Sequence, residues 1–194
     1  MRKLELNKKY KSGSAFEIIR DAVLAGDISG EISQNEFADS LGVSRIPVRE
    51  ALIALEYQGL IEKLPNQHVR IINLDEEAIR NLFADMSELS LKTIRNLSDE
   101  NIHLLSLSES PADFHRILYE NTPSPIRRVF LRIVTETYIM FILACSDKGR
   151  ILPAFENMKR SVKDFAELSA NYAVYTDTFA DELIRIRTHK EESC

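Results

Sequence analysis

The chain has 194 residues, 44% of them hydrophobic, and a formal net charge of −5, a length that allows two small domains or one large one. Only six glycines and six prolines interrupt an abundance of helix formers, so a mainly α-helical protein is expected. Cys145 and Cys194, far apart, suit neither a disulfide framework nor a zinc knuckle, residues 1–10 lack the apolar core of a signal peptide, and the apolar run 138–145 is too short to span a bilayer, which together fit a reducing cytoplasm.

Residues 1–11 carry five basic groups and one acid, a basic arm suited to tracking phosphates. Residues 15–25 (AFEIIRDAVLA) place Phe16, Ile19, Val23 and Leu24 on one helical stripe, and Gly26 ends it. Ser33, three residues before Glu36, opens the next helix as a capping-box pair. That helix turns Phe37, Ala38 and Leu41 inward and stops at Gly42. Ser44 is expected to cap the third helix, with Pro47 in its first turn, where a missing N–H costs little. Val48, Ala51, Leu52 and Leu55 form its inward stripe. Arg45 and Arg49, four residues apart, share the opposite face with Ile46 and Ile53 nearby. Gly59 closes it, and two β-like runs, 60–64 and 68–73, flank the turn Pro65, Asn66, Gln67.

A helix, a helix-turn-helix and a hairpin make a winged helix over residues 1–73, a layout that sets side chains in the DNA major groove. Charge is compatible with it. Residues 1–74 hold ten Lys/Arg against ten Asp/Glu, and the acidic excess lies in 75–194, with fifteen against twenty. A neutral domain can bind a polyanion when its cations share one face.

The stretch GVSRIPVREALIALEYQGLI, followed by PNQHVRI, resembles the N-terminal domain of GntR-family transcription regulators over residues 12–73. The resemblance implies base-edge contacts from Arg45 and Arg49, and phosphate contacts from Asn35, Ser44, Ile46 and Pro47. It also implies a wing tip (Asn66, Gln67, His68) entering the minor groove. Two positions depart from the family pattern: His68 stands where wings usually hold glycine, and Ile46 where threonine is common. Arg is suited to base reading, since its fork binds O6 and N7 of guanine together.

From residue 74 onward the pattern is helical, with no β alternation. Acids at 75–77 open a long helix to about 96, and residues 99–107 add a short one. Ser110 and Pro111 start another; Ser124 and Pro125 start one reaching Cys145; spans 153–170 and 176–192 supply the last two. Short connections predict an antiparallel all-α bundle over 74–194.

Within it, ADFHRILYENTPSPIRRVF resembles the Phe-His segment of the FCD-type (FadR-like) effector domain of one GntR branch, here shortened and divergent. That resemblance implies a divalent metal such as zinc, held by one Asp and three His, which helps anchor a carboxylate effector. His115 matches the first histidine and His189 a late one. Pro111 stands at the aspartate's position, Asp164 and Phe165 near the middle histidine's, and Met86 and Ser90 where an inward Arg and Glu are usual. His115, His189, Asp164 and Arg116 are therefore the candidate effector or metal residues, with Asp113, Arg127, Arg128 and Arg132 as further charges.

The expected function is a cytoplasmic, sequence-specific DNA-binding regulator, a repressor of metabolic genes. It would bind a palindromic operator as a homodimer under a small organic-acid effector, or, alternatively, use the helical half for dimerisation alone. An enzyme is not expected: HExxH, phosphate-loop and nucleophile-elbow motifs are all absent.

Overall fold

Serine and aspartate caps set the start of most of the helices. In the computed structural model, which describes Leu6 and residues 13–188, the chain divides into two compact units, Met1–Leu74 and Asp75–Cys194. The remaining residues of the basic arm, and His189, lie outside the described residues.

In the first unit, Ser14 caps α1 (Ala15–Leu24) through a capping box with Glu17: the Ser14 N–H donates to Glu17 Oε2 at 2.7 Å. α1 buries Ile19, Ala22, Val23 and Leu24. Strand β1 (Glu31–Ser33) leads straight into α2 (Gln34–Leu41), where the Ser33–Glu36 box closes both ways, at 2.8 and 3.2 Å. Those hydrogen bonds, that from the Ser33 N–H first, hold the Glu36 carboxyl below its ordinary range. Gly42 ends α2 in the left-handed region (φ 70°). α3 (Arg45–Tyr57) follows, burying Val48, Ala51, Leu52 and Leu55 against α1.

The wing consists of β2 (Ile61–Lys63), a 3₁₀ turn (Pro65–Gln67) and β3 (His68–Ile71). β3 lies centrally in a three-stranded antiparallel sheet of order β1-β3-β2, pairing Ile32 with Val69 and Ile61 with Ile71. Arg70 bonds Glu31 at 2.9 Å and Glu62 at 3.0 Å, tying all three strands on the exposed face. The hairpin expected from sequence is thus a three-stranded sheet. β1 gave no signal because it has three residues, one of them buried, and a partner near residue 70.

An alanine at Gly42 would find open space, since nothing lies within 4 Å of its Cβ. Gly42→Ala should therefore destabilise the first unit only through left-handed backbone strain, by about 1–2 kcal/mol. Urea unfolding monitored on this unit measures it; a loss above about 3 kcal/mol would require a clash that the geometry lacks.

The second unit is all helix: α4 (Glu76–Ile94), α5 (Asp99–Ser106), α6 (Pro111–Glu120), α7 (Pro125–Ile133), a π-helical segment (Val134–Ile139), α8 (Met140–Cys145), α9 (Ile151–Arg160) and α10 (Phe165–Thr188). α7, the π segment and α8 form one rod with helical dihedrals throughout. Two boundaries differ from expectation. α9 ends at Arg160 instead of near 170, and α10 starts at Phe165 instead of 176. Asp164 sets that start by accepting from the N–H groups of Ala166 (3.0 Å) and Glu167 (3.2 Å). Leu168, Tyr172, Tyr175, Phe179, Leu183 and Ile186 then recur at helical spacing, all buried, and carry the helix across its aromatic middle.

Cys145 is disulfide-bonded, where the spacing of the cysteines suggested free thiols. No helix among the described residues is long and apolar enough to cross a membrane.

Candidate nucleic-acid interface

α3 has two unlike faces, because its apolar stripe locks it against α1 and leaves the rest to solvent. On the solvent face stand Arg45, Ile46 (70% exposed) and Arg49. Neither arginine makes an ion pair or side-chain hydrogen bond among the described residues, whereas Arg20 and Arg70 of the same unit are both paired with acids. Two unpaired guanidinium groups about one helical turn apart, about 6 Å along the axis, can reach base edges one or two steps apart, at about 3.4 Å per step. The exposed Ile46 between them can offer an apolar contact to a thymine methyl.

Ser44 occupies the N-cap position of α3 in extended geometry (φ −70°, ψ 166°) but makes no side-chain cap hydrogen bond. This differs from the sequence expectation. Ser14, Ser33, Ser98, Ser110 and Ser124 all accept from their own helices; the exposed Ser44 hydroxyl is free. The first-turn N–H groups of Arg45 and Ile46 belong to the helix terminus that favours an anion, while Pro47, half-buried, has none to offer. A free hydroxyl beside free N–H groups is the chemistry that a backbone phosphate takes. Asn35 is exposed in the first turn of α2.

The wing tip turns at Asn66, which takes the left-handed conformation (φ 63°, ψ 30°). His68 is extended (φ −91°, ψ 157°), with its Nδ1 3.0 Å from the Asn66 carbonyl oxygen, a contact consistent with a hydrogen bond. The left-handed demand falls on residue 66, so a side chain at 68 in place of glycine carries no backbone strain. Asn tolerates that region better than most residues. Asn66 and His68 are exposed; Lys63 pairs with Glu56 and Arg70 with two acids, so the hairpin's cations are committed and its tip is polar. Of Gln67, only its place in the turn is described.

Residues 11–71 match the model of the bacterial regulatory proteins, gntR family. The N-terminal unit carries a GntR-family winged helix. A curated relative is 45% identical over 49 residues, an uncharacterized HTH-type transcriptional regulator in an unstable DNA locus of Streptomyces ambofaciens. The match takes in 24% of this chain and 21% of that protein, so the chain spans about a fifth of the curated relative's length. Among solved structures, Lar of Listeria monocytogenes, described as controlling expression of the agr system and mediating virulence, has TM-score 0.56 at 12% identity, covering 88% of this chain and 95% of that one. At that identity the likeness is one of fold.

Beyond the GntR domain, the described candidate effector residues, His115, Asp164 and Arg116, have unlike surroundings. His115 is fully buried in an aromatic cluster: it stacks on Tyr175 (centroids 5.6 Å, 10° between planes) and its Nε2 is hydrogen bonded to the Tyr175 hydroxyl at 2.9 Å. Burial lowers its pKa to about 3, so it is neutral at ordinary pH. Asp164 is exposed and caps α10. Arg116 is exposed and paired with Asp113 and Glu120. Arg128 donates to the Thr122 carbonyl, at 3.0 and 2.8 Å.

A divalent metal needs several anionic or imidazole donors at one point. Among the described residues no three His, Cys, Asp or Glu side chains cluster. Around His115 stand Phe114, Tyr175 and Phe179, and Pro111 fills the expected aspartate's position. These residues do not fit a metal. Tyr175 was not foreseen from sequence, because nothing local links positions 60 residues apart.

Proposed function

We propose that the chain is a sequence-specific transcription regulator that binds a palindromic operator as a homodimer and represses metabolic genes. Arg45 and Arg49 read base edges. Asn35, the Ser44 hydroxyl and the Ile46 N–H hold phosphates, with the Pro47 ring set against the same backbone, and Asn66, Gln67 and His68 meet the minor groove. The observation that carries this reading is the pair of unpaired arginines on the open face of α3, within a domain of the GntR family. One winged helix reads only a few base pairs, so two copies are needed for a specific site. The α7–α8 rod supplies a surface for pairing: Ile126 (84% exposed), Val129 (47%) and Met140 (46%) form an unburied apolar ridge.

A second reading, favoured by the aromatic filling around His115, gives the bundle interior no ligand at all. The helical unit then dimerises without a metal-anchored effector.

Arg49→Ala tests the DNA assignment. The side chain is exposed and unpaired, so stability should stay within about 0.5 kcal/mol of the parent. Competition binding with operators varied one base pair at a time should then show about 1–3 kcal/mol of discrimination lost at a single position. A uniform weakening across all sequences would make Arg49 a phosphate contact and overturn its role as a base reader.

A further inference from the structure

Among the described residues, every large hydrophobic side chain that the first unit exposes lies on α3 or in the turn before it: Val43 (42%), Ile46 (70%) and Tyr57 (81%). Tyr57 stands at the C-terminal end of the helix. Val43 and Ile46 flank its N-terminus, the end that meets base edges when such a helix lies in the major groove. Ile46 comes two residues before the buried Val48, about 200° around the helix axis from it, and so points away from the core. A β-branched side chain on a helix is stiff at χ1, which leaves Ile46 little freedom to lose on contact. A solitary exposed apolar residue is ordinary on a protein surface. Here two of them stand at the reading end of one helix, among the unpaired Arg45 and Arg49.

In the major groove the base edges present acceptors, donors and one kind of apolar group, the methyl at pyrimidine C5. Ile46 has no polar side-chain atom, so that methyl is the one feature of the groove its side chain can prefer. Thymine carries it. Cytosine has a hydrogen there, and 5-methylcytosine has the methyl at the same place. Arg45 precedes Ile46 by one residue and Arg49 follows it by three, about 1.5 and 4.5 Å along the axis. Base pairs are stacked about 3.4 Å apart, so a pyrimidine under Ile46 belongs to the pair of an arginine-bound guanine or to the next pair. In the first case it is the cytosine paired with that guanine; in the second it can be a thymine.

We propose that Ile46, with Val43 at the same end of the helix, reads the C5-methyl group of a pyrimidine beside an arginine-bound guanine. The protein then distinguishes thymine from uracil, or methylated from unmethylated cytosine, at one position of each half-site. The methyl contact rests on the base-reading role of α3 given above. It adds to that face a dependence on the methylation of the DNA.

The test takes the duplex selected from a random pool by the 194-residue chain and remakes it one position at a time, with deoxyuridine for thymidine or 5-methyldeoxycytidine for deoxycytidine. Each exchange removes or adds one methyl and leaves base pairing unchanged. One position per half-site is expected at which losing the methyl weakens binding, or gaining it strengthens binding, about three- to fivefold, the factor for burying one methyl-sized group. Loss on deoxyuridine identifies thymine as the source; gain on 5-methyldeoxycytidine identifies methylated cytosine. Ile46→Ser, at an exposed position, should fold as the parent does and erase this dependence, while the base preference set by Arg49 persists. Binding indifferent to every methyl, or a methyl dependence that survives in Ile46→Ser, overturns the methyl contact and leaves the sequence-specific regulator intact. A pool that yields no shared sequence overturns both.

Discussion

Truncating Phe114 to alanine is expected to destabilise the helical unit by about 3–5 kcal/mol, the range for deleting a fully buried aromatic ring from a packed core. Phe114 is 0% exposed, and its ring meets His115 at 5.5 Å, Phe155 at 6.1 Å and Tyr172 at 6.2 Å. His115 is the next residue, while Phe155 and Tyr172 come from α9 and α10, so the structure can close over the missing ring only by moving helices together. Denaturant unfolding of the full chain, followed by a probe in the helical unit, measures the loss. A change below about 1 kcal/mol would mean that the interior is loosely filled, as a ligand cavity is, and would remove the support for a dimerising bundle without an internal effector. Phe114 is placed in no binding surface, so DNA affinity per folded molecule should be unchanged.

Acid should destabilise the protein through His115, by about 2 kcal/mol between pH 7 and pH 5 relative to His115→Phe. The folded state holds the imidazole neutral, with its pKa lowered to about 3 by burial, while in the unfolded chain it titrates near the ordinary histidine value of 6.5. Above pH 6.5 neither state binds the proton and the histidine contributes no pH dependence. Between about 6.5 and 3 the unfolded state binds a proton that the folded state refuses, so stability falls with pH at up to about 1.4 kcal/mol per unit. Below about 3 both states are protonated and the slope vanishes. The phenylalanine variant keeps the ring volume, removes the titration and leaves the Tyr175 hydroxyl without its partner, so it starts less stable but with a flatter acid limb. Parallel profiles for the two proteins would show that the imidazole is solvated, contrary to its burial against Tyr175 and Phe179.

The two units differed in how far their sequences foretold them. In the first, the signals are local. The Ser33–Glu36 capping box, the turn at Gly42 and the Val48–Leu55 stripe each lie within a few residues and act through backbone hydrogen bonds or one helical face. The sequence alone therefore puts Arg45 and Arg49 on an open face. β1 escaped because a three-residue strand is defined by its partner and not by its own pattern. Ser44 sits where expected, yet its hydroxyl takes no helical partner, a fact of side-chain rotation that spacing does not encode.

In the second unit the informative contacts are distant. His115 meets Tyr175 across 60 residues, and a cleft in the helical unit draws Arg95, His103 and Lys163 from three separate segments. α10 begins eleven residues before its expected start because its aromatic, β-branched middle reads weakly as helix. Burial of Tyr172, Tyr175 and Phe179 overrides that propensity. The Phe-His pattern at 114–115 suggested a metal; in the folded protein those rings are its aromatic centre.

The central claim, that a pair of GntR domains reads a defined DNA sequence, is tested most directly by selecting bound duplexes from a random pool with the 194-residue chain. The account predicts enrichment of an inverted repeat whose two half-sites each contain a position that loses its preference with Arg49→Ala. Enrichment without any shared sequence, or a consensus lacking two-fold symmetry, would contradict it.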